Sequence, residues 1–471
     1  MVNQAAAPIQ LSLDYILTTH RNRNAGYQRY INYYDGNHDL SFATNKWRNA
    51  FGNLFRQFAD NLCAPIIDAA ADRLQVTGFT GVPNDIPLWD IWKRNKMDRK
   101  AGTIHEHVLK TGDAYAIVWP DPLTGLATIS PNPAFQVCVY YADDGETIIA
   151  GSKLWQADDQ RWRLTIYYAD RLEKYATLSP KKTVPDKAND FRPFNVPGEP
   201  WPVPNPYNIV PVFHFANKPE MGVWGESELS NIIPIQNALN KSVSDMLIAM
   251  EFVSLPQRWA TGLEIPEDPI TGAPKVPFEA GVDRIWSSPE ETTRFGQFEG
   301  ANLQQFTQVQ NDLRLDMARI SRTPLHYLSM GGSSQSAFVS VAYPSGESLK
   351  TAEAPFVAKL EDRQIAYGDV WEDLIAFAAL IDGTIIDSMA LETVWQSAAP
   401  KSETDNLANS VQKKALGIPD TVIWKELGYN DEEIAAMTAM NATNNVTPNS
   451  NAAPEPIGSA ASTPPVLTRV R

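Results

Sequence analysis

The hydrophobic pattern changes period several times along the chain. Over residues 1 to about 110 the apolar positions keep a helical period: Leu13, Ile16 and Leu17 share one face, and Phe51, Leu54, Phe55 and Phe58 share another. From residue 113 to 176 the pattern turns to strands. The stretches 115–119, 136–141, 147–155 and 163–168 are rich in β-branched and aromatic residues and are separated by turn residues such as Asp121-Pro122, Asp143-Asp144-Gly145 and Asp158-Asp159. They predict an antiparallel sheet of about four short strands. Residues 180–219 then hold ten prolines, among them the alternation Pro200, Pro202, Pro204 and Pro206. No regular helix runs through such a stretch and a central strand is disfavoured. The expectation is an extended surface connector leading into a short strand over 210–215.

Two helical stretches follow with the clearest periodicity in the chain. Ile232, Ile235, Leu239, Val243, Met246 and Met250 step by three or four, with Pro234 in the first turn, where its missing N–H costs little. Leu303, Phe306, Val309, Leu313, Met317 and Ile320 repeat the pattern. Between them, residues 254–300 are rich in proline and glycine and carry eight acids against four bases. Two amphipathic helices flanking an insertion suggest a stalk with a small module at its tip. Residues 323–345, bounded by Pro324 and Pro344, centre on Ser329-Met330-Gly331-Gly332-Ser333-Ser334-Gln335-Ser336 and read as a flexible loop. A third long helix is expected from 346 to about 380, kinked at Pro355. One strand over 390–396 and short helices from 402 to 440 complete the predicted elements, with Gly417 and Gly428 as stops. Residues 441–471 contain no aromatic residue and read as a disordered tail.

Composition sharpens this picture. A chain of 471 residues accommodates about two to four domains, and a 43% hydrophobic content is enough for a real core. Two cysteines, Cys63 and Cys138, cannot make a disulfide scaffold or a cysteine zinc site. The purest apolar run, 375–381, falls far short of the roughly 20 residues of a membrane-spanning helix. No secretory pattern opens the chain, so synthesis in a reducing cytoplasm is expected. The net charge of -15 argues against a protein that coats nucleic acid. The excess is uneven: residues 1–56 hold six bases against three acids.

Recognisable chemistry is sparse. There is no nucleotide-binding P-loop and no Gly-x-Ser-x-Gly elbow, and the Gly331-Gly332-Ser333-Ser334 run lacks the lysine a phosphate cradle needs. His105 and His107 lie two apart, whereas a helical zinc pair needs a spacing of four. The pairs Asp143/Asp144 and Asp158/Asp159 occupy turn positions where aspartate serves local hydrogen bonding. No catalytic, cofactor-binding or metal-ligating residues are assigned. The chain leans towards a structural or assembly role.

One extended region is specific. Ile209-Val210-Pro211-Val212-Phe213-His214-Phe215-Ala216-Asn217-Lys218-Pro219 runs into Gly225-Glu226-Ser227-Glu228-Leu229, then Gln236-Asn237-Ala238-Leu239-Asn240-Lys241 and Pro256-Gln257-Arg258-Trp259-Ala260-Thr261-Gly262. With the later run Ser345-Gly346-Glu347-Ser348-Leu349-Lys350, it closely resembles the portal proteins of tailed double-stranded-DNA bacteriophages, of the siphophage type, over about residues 15 to 440.

The resemblance implies an α+β portal fold. Its parts would be a mainly helical wing with an antiparallel sheet (1–225), a two-helix stem (226–253 and 301–322) and a small α/β clip (254–300). A tunnel loop (323–345), a kinked tunnel helix (346–383), a wing strand (384–400), a helical crown (401–440) and the tail (441–471) would complete it. It implies a ring, usually of twelve subunits, at one capsid vertex of the virion, assembled in the host bacterial cytoplasm, with double-stranded DNA passing through its channel. The implied partners are the terminase large subunit, a head-completion or adaptor protein, and the major capsid and scaffolding proteins, with no membrane.

Ser333, Ser334, Gln335 and Ser336 are placed at the channel constriction. They offer no cation to grip a phosphate. Lys241, Arg314, Arg319 and Arg322 near the stem are either phosphate contacts along the channel wall or partners of neighbouring acids, Asp316 with Arg319 among them. Arg258, Glu264, Glu267, Asp268, Asp283 and Arg284 would form the clip's partner surface, its acidity suggesting a basic patch on the partner. The competing readings are the terminase motor, which the missing P-loop disfavours, another head or head–tail connector protein, and a polysaccharide-acting phage enzyme.

Overall fold

A computed structural model describes residues 10–39, 60–83, 86–218, 224–254, 258–262, 272, 292–297, 302–328, 346–399, 403–427, 429 and 431–444. The chain divides into two compact units, 1–399 and 400–471.

The first unit opens with α1 (Leu13–Tyr34) and α2 (Cys63–Ala71), then β1 (Val76–Thr80), α3 (Leu88–Arg94) and α4 (Met97–Thr111). The face carrying Ile16 and Leu17 is buried as its spacing predicts. Phe51, Leu54, Phe55 and Phe58 lie outside the described residues. Next come β2 (Asp113–Pro120), β3 (Ala127–Pro133), β4 (Val137–Tyr141), β5 (Ile148–Gln156), β6 (Trp162–Tyr168) and β7 (Arg171–Thr177).

The single four-stranded sheet expected here is in fact divided between two sheets. β2 sits at the centre of a three-stranded antiparallel sheet between β3 and β10 (Val212–Ala216), while β4 to β7 continue into β8 (Phe191–Pro193), and β9 (Val203–Pro204) also pairs with β7. The prolines that disguised β3 are tolerated because β3 is an edge strand. The proline-rich connector is likewise more than a bare surface link: it donates β8 and β9, and Phe191 is buried.

The six-stranded sheet is covered on both faces. One face packs Tyr140, Leu154, Leu164 and Ile166 under Ile16 and Leu17 of α1. The other packs Val137, Val139, Tyr167 and Leu172 against Tyr115, Ile117 and Val212 of the smaller sheet. Burial on both faces shows in β6, where residues 164–168 are all buried although Thr165 alternates with apolar neighbours.

After β10 come α5 (Ile233–Ser254), β11 (Arg258–Thr261), β12 (Arg294–Gln297), α6 (Leu303–Ser321), the short α7 (Leu325–Leu328), α8 (Gly346–Ile381) and β13 (Glu392–Trp395). α5 begins later than position 226, with Pro234 as its second residue. Asn302 caps α6, its side chain accepting from Gln304 N at 3.0 Å. α8 runs through Pro355. Trp371 of α8 meets Trp92 of α3 edge-on with ring centroids 5.1 Å apart, and meets Phe215 of β10 at 4.8 Å. This aromatic cluster centres the largest core.

The second unit contains α9 (Glu403–Ala415), α10 (Asp420–Glu426) and α11 (Asp431–Asn444). α9 ends just ahead of Gly417, whose φ of 84° suits a residue without a Cβ. α11 extends past the expected stop at 440, and the rest of the expected tail, 445–471, lies outside the described residues.

Candidate functional site

The helix pair α5/α6 and its root stand out. β11 and β12 pair antiparallel, Arg258 opposite Gln297 and Thr261 opposite Arg294, so the chain leaves α5 and returns to α6 through a two-stranded element. The apolar stripes are covered unevenly. Ile232 and Leu239 of the first and Met317 of the second are buried. Met250 remains 43% exposed, Val309 49% and Ile320 52%. Sequence spacing correctly marks these positions as apolar, but one copy of the chain does not cover them.

Two buried ionic clusters fix the root. In the first, Asp113, at the start of β2, is 0% exposed. Its Oδ1 accepts from His214 Nε2 at 2.7 Å and from Gly225 N at 2.9 Å. Its Oδ2 accepts from Arg23 Nη2 at 2.5 Å and Tyr27 Oη at 2.7 Å. Burial opposes this charge, but His214, Arg23 and Tyr27 outweigh it and hold the carboxyl below its ordinary 3.8. Tyr141 Oη meets the other imidazole nitrogen at 2.7 Å, and the Arg23 guanidinium lies 3.4 Å from the centre of the Trp224 ring.

The second cluster surrounds Glu228, which sits between β10 and α5. Its carboxylate lies 3.2 Å from Arg363 and 3.6 Å from Lys359, both on α8, and 3.3 Å from Lys218. Asn217 Nδ2 adds a hydrogen bond at 3.2 Å. Burial pushes against ionisation, yet three cations around one anion take the carboxyl down to about 2. Lys359 also donates to the Ser321 carbonyl at 2.8 Å. One ammonium thus ties the approach to α5 and the last residue of α6 to the same helix. Gly112 and Gly225 let the backbone close here: a Cβ on Gly225 would stand 1.9 Å from the Gly112 carbonyl oxygen.

The sequence-selected bases are distributed differently. Lys241 pairs with Asp245 at 2.8 Å, Arg314 with Asp60 at 2.7 Å and Arg319 with Asp316 at 3.4 Å. Arg322 is exposed and left-handed at the end of α6, φ 54°. The Lys241 and Arg319 pairs are exposed and each worth about 0–1 kcal/mol, so either base can exchange its partner for another anion. Arg258 begins β11. Glu264, Glu267, Asp268, Asp283, Arg284, Ser333, Ser334, Gln335 and Ser336 lie outside the described residues.

His105 and His107 are structural. His105 donates through Nδ1 to the Leu74 carbonyl at 2.8 Å and accepts through Nε2 from Trp371 Nε1 at 3.0 Å. His107 Nε2 accepts from Ala134 N at 3.3 Å. Among the described residues no three His, Cys, Asp or Glu side chains gather as a metal site. His20, whose Nε2 lies 2.9 Å from Ser152 Oγ, is buried like His105. Burial lowers all three from 6.5 to about 4. The unfolded chain takes up these protons between pH 6.5 and 4 while the folded chain does not. Stability is therefore full above pH 6.5 and falls through that window, by about 1 kcal/mol per pH unit for each imidazole. Melting midpoints across pH 7.5 to 4 should show a decline beginning near 6.5. A flat profile down to pH 5 would contradict it.

The ionisable groups of this root hold secondary-structure elements together, and the helix pair they anchor leaves Val309 and Ile320 about half exposed. The chain belongs to the phage portal protein family of the SPP1 Gp6-like kind, whose family model matches residues 13–446. A portal protein of Mycobacterium phage D29 is 27% identical over 410 residues, covering 79% of this chain and 78% of that one. A portal protein of Mycobacterium phage L5 is 25% identical over 405 residues with the same coverage. Among solved structures, a chain from the neck of a native gene transfer agent particle, computed with C12 symmetry, superposes with a TM-score of 0.44 at 11% identity, covering 83% of this chain and 95% of that one.

Proposed function

We propose that this portal protein closes into a ring, usually of twelve copies, at one capsid vertex and conducts double-stranded DNA inward during packaging and outward during ejection. The observation that carries the ring is the α5/α6 pair. Met250, Val309 and Ile320 are large apolar residues left 43 to 52% exposed on a helix pair whose root is fully packed. A heterologous contact repeated around a closed ring covers such positions without leaving an open edge. Negative-stain images of the purified protein should show rings with a central hole. Val309→Asp combined with Ile320→Asp should shift the protein to monomers in light scattering while leaving its melting midpoint within a few degrees. Rings at undiminished yield would reject the helix pair as the ring contact.

The channel reading assigns the constriction to Ser333, Ser334, Gln335 and Ser336. A cation-free lining lets DNA slide because it forms no salt-dependent phosphate contacts. Deleting these four residues should leave rings intact and lower packaged or retained DNA at least tenfold. Unchanged packaging and retention would overturn the assignment. Lys241, Arg319 and Arg322 are the proposed DNA contacts along the wall, since Arg314 is the base held by a half-buried partner.

The insertion between α5 and α6, with Arg258, Glu264, Glu267, Asp268, Asp283 and Arg284, is the proposed platform for the terminase large subunit and later for the head-completion protein. Major capsid and scaffolding proteins would meet the ring's outer side, and assembly would take place in the host cytoplasm. No enzymatic step is proposed.

A further inference from the structure

A cleft of about 430 Å³ lies between the six-stranded and three-stranded sheets, away from the helix pair. Its floor follows from strand geometry. Lys153 and Trp155 are two apart on β5 and therefore share a face. Their cross-strand neighbours on β6 are Thr165 and Arg163, and Thr165 in turn faces Lys174 on β7. Trp119 and Phe194 contribute from outside the larger sheet.

The charges in the cleft do not balance. Lys174 is taken by Glu199, the one acid lining the cleft. Arg163 gives Nη2 to Asp159 at 2.7 Å, but its buried Nη1 has no hydrogen-bond partner among the described residues. The guanidinium rests 4.2 Å from the centre of the Phe194 ring. The Lys153 ammonium sits 5.1 Å from the centre of the Trp155 ring and has no carboxylate partner among the described residues. Burial lowers its proton affinity. A half-buried lysine carries a desolvation cost that the Trp155 ring offsets in part and an incoming anion would offset further. Arg163 is half satisfied by Asp159, and Lys153 has no carboxylate partner among the described residues.

We propose that this cleft binds a small organic anion built on one flat ring, an aryl carboxylate in its simplest form. The ring would slot between Trp119, Trp155 and Phe194, and the carboxylate would meet Lys153, with the positive charge of Arg163 in the same lining. The volume lies at the lower end of the range for small-molecule sites, and the lining, mostly apolar with a few convergent polar groups, is of the usual kind. The inference rests on the two sheets of the first unit alone and does not depend on the ring.

Isothermal calorimetry and saturation-transfer NMR on the full chain with benzoate test it. Acetate supplies the charge without the ring, and benzyl alcohol the ring without the charge. Benzoate should bind at least tenfold more tightly than either, and Lys153→Met should weaken it at least tenfold. The same variant should melt no lower than the parent, because it removes a desolvated, unpaired charge. Absence of benzoate binding at millimolar concentration, affinity unchanged by Lys153→Met, acetate binding as well as benzoate, or a lowered melting midpoint for Lys153→Met would each overturn the proposal.

Discussion

Replacing Glu228 by alanine should lower stability by about 3–5 kcal/mol, because it strands two buried cations rather than merely removing a contact. Arg363 and Lys359 both lose the anion that justified burying them, and only Lys218 is exposed enough to regain water easily. A chain of this size does not unfold in one step, so calorimetric midpoints and soluble yield are the appropriate readouts. The triple variant Glu228→Ala, Lys359→Met, Arg363→Met should recover much of the loss, since an apolar cluster of similar volume replaces a buried ionic one at little cost. Equal losses in the single and triple variants would show that the damage lies elsewhere. The acid limb has a definite sign: the carboxyl is lowered from 4.5 to about 2, so the contribution is complete above pH 4.5 and is lost as pH falls towards 2.

Asp113→Ala should be of similar size, about 3–5 kcal/mol, as it removes the buried carboxylate that Arg23 pairs with. Four donors lose their acceptor at once: Arg23, Tyr27, His214 and the Gly225 amide. Asp113→Asn should be intermediate, keeping one acceptor oxygen but turning an amide N–H₂ towards donors. Because α1, β2, β10 and the segment before α5 all meet at this residue, amide exchange should rise in all four together. Faster exchange confined to β2 would contradict the shared-hub reading.

Much of the architecture was legible in the sequence. The three-and-four stepping of Ile232 to Met250 and of Leu303 to Ile320 located α5 and α6 within a few residues, because helical periodicity is a local property. Strand partnership was not local. Residues 115–119 look like the strands that follow, yet their partner β10 lies about 95 positions on, beyond the proline-rich connector. β7 went unnoticed because Arg171-Leu172-Glu173-Lys174 carries few β-branched residues, and β3 because Pro131 and Pro133 mimic a loop.

The root clusters were hidden for a related reason. Lys359 and Arg363 are four apart on a helix and resemble any solvated pair, and nothing local announces Glu228 as their partner. A better clue was available: the run from 209 to 229 that carries the family resemblance supplies His214, Asn217, Lys218, Gly225 and Glu228. That run is distinctive in sequence because so many of its side chains are spent on the two clusters.

β1 and β13 have a consequence for how the chain is made. Their ladder joins Thr80 to Glu392, 312 positions apart. At roughly 5–20 residues per second, a ribosome that has finished β1 works for about 15 to 60 s more before β13 emerges. Throughout that interval β1 has an open edge, and α8, whose aromatic side chains complete the main core, does not yet exist for most of it. The first unit must therefore wait for nearly the whole chain, and its nascent form is a natural client for chaperones. Truncations ending before position 392 should be captured by holdases in a translation extract, whereas those ending after 399 should be released.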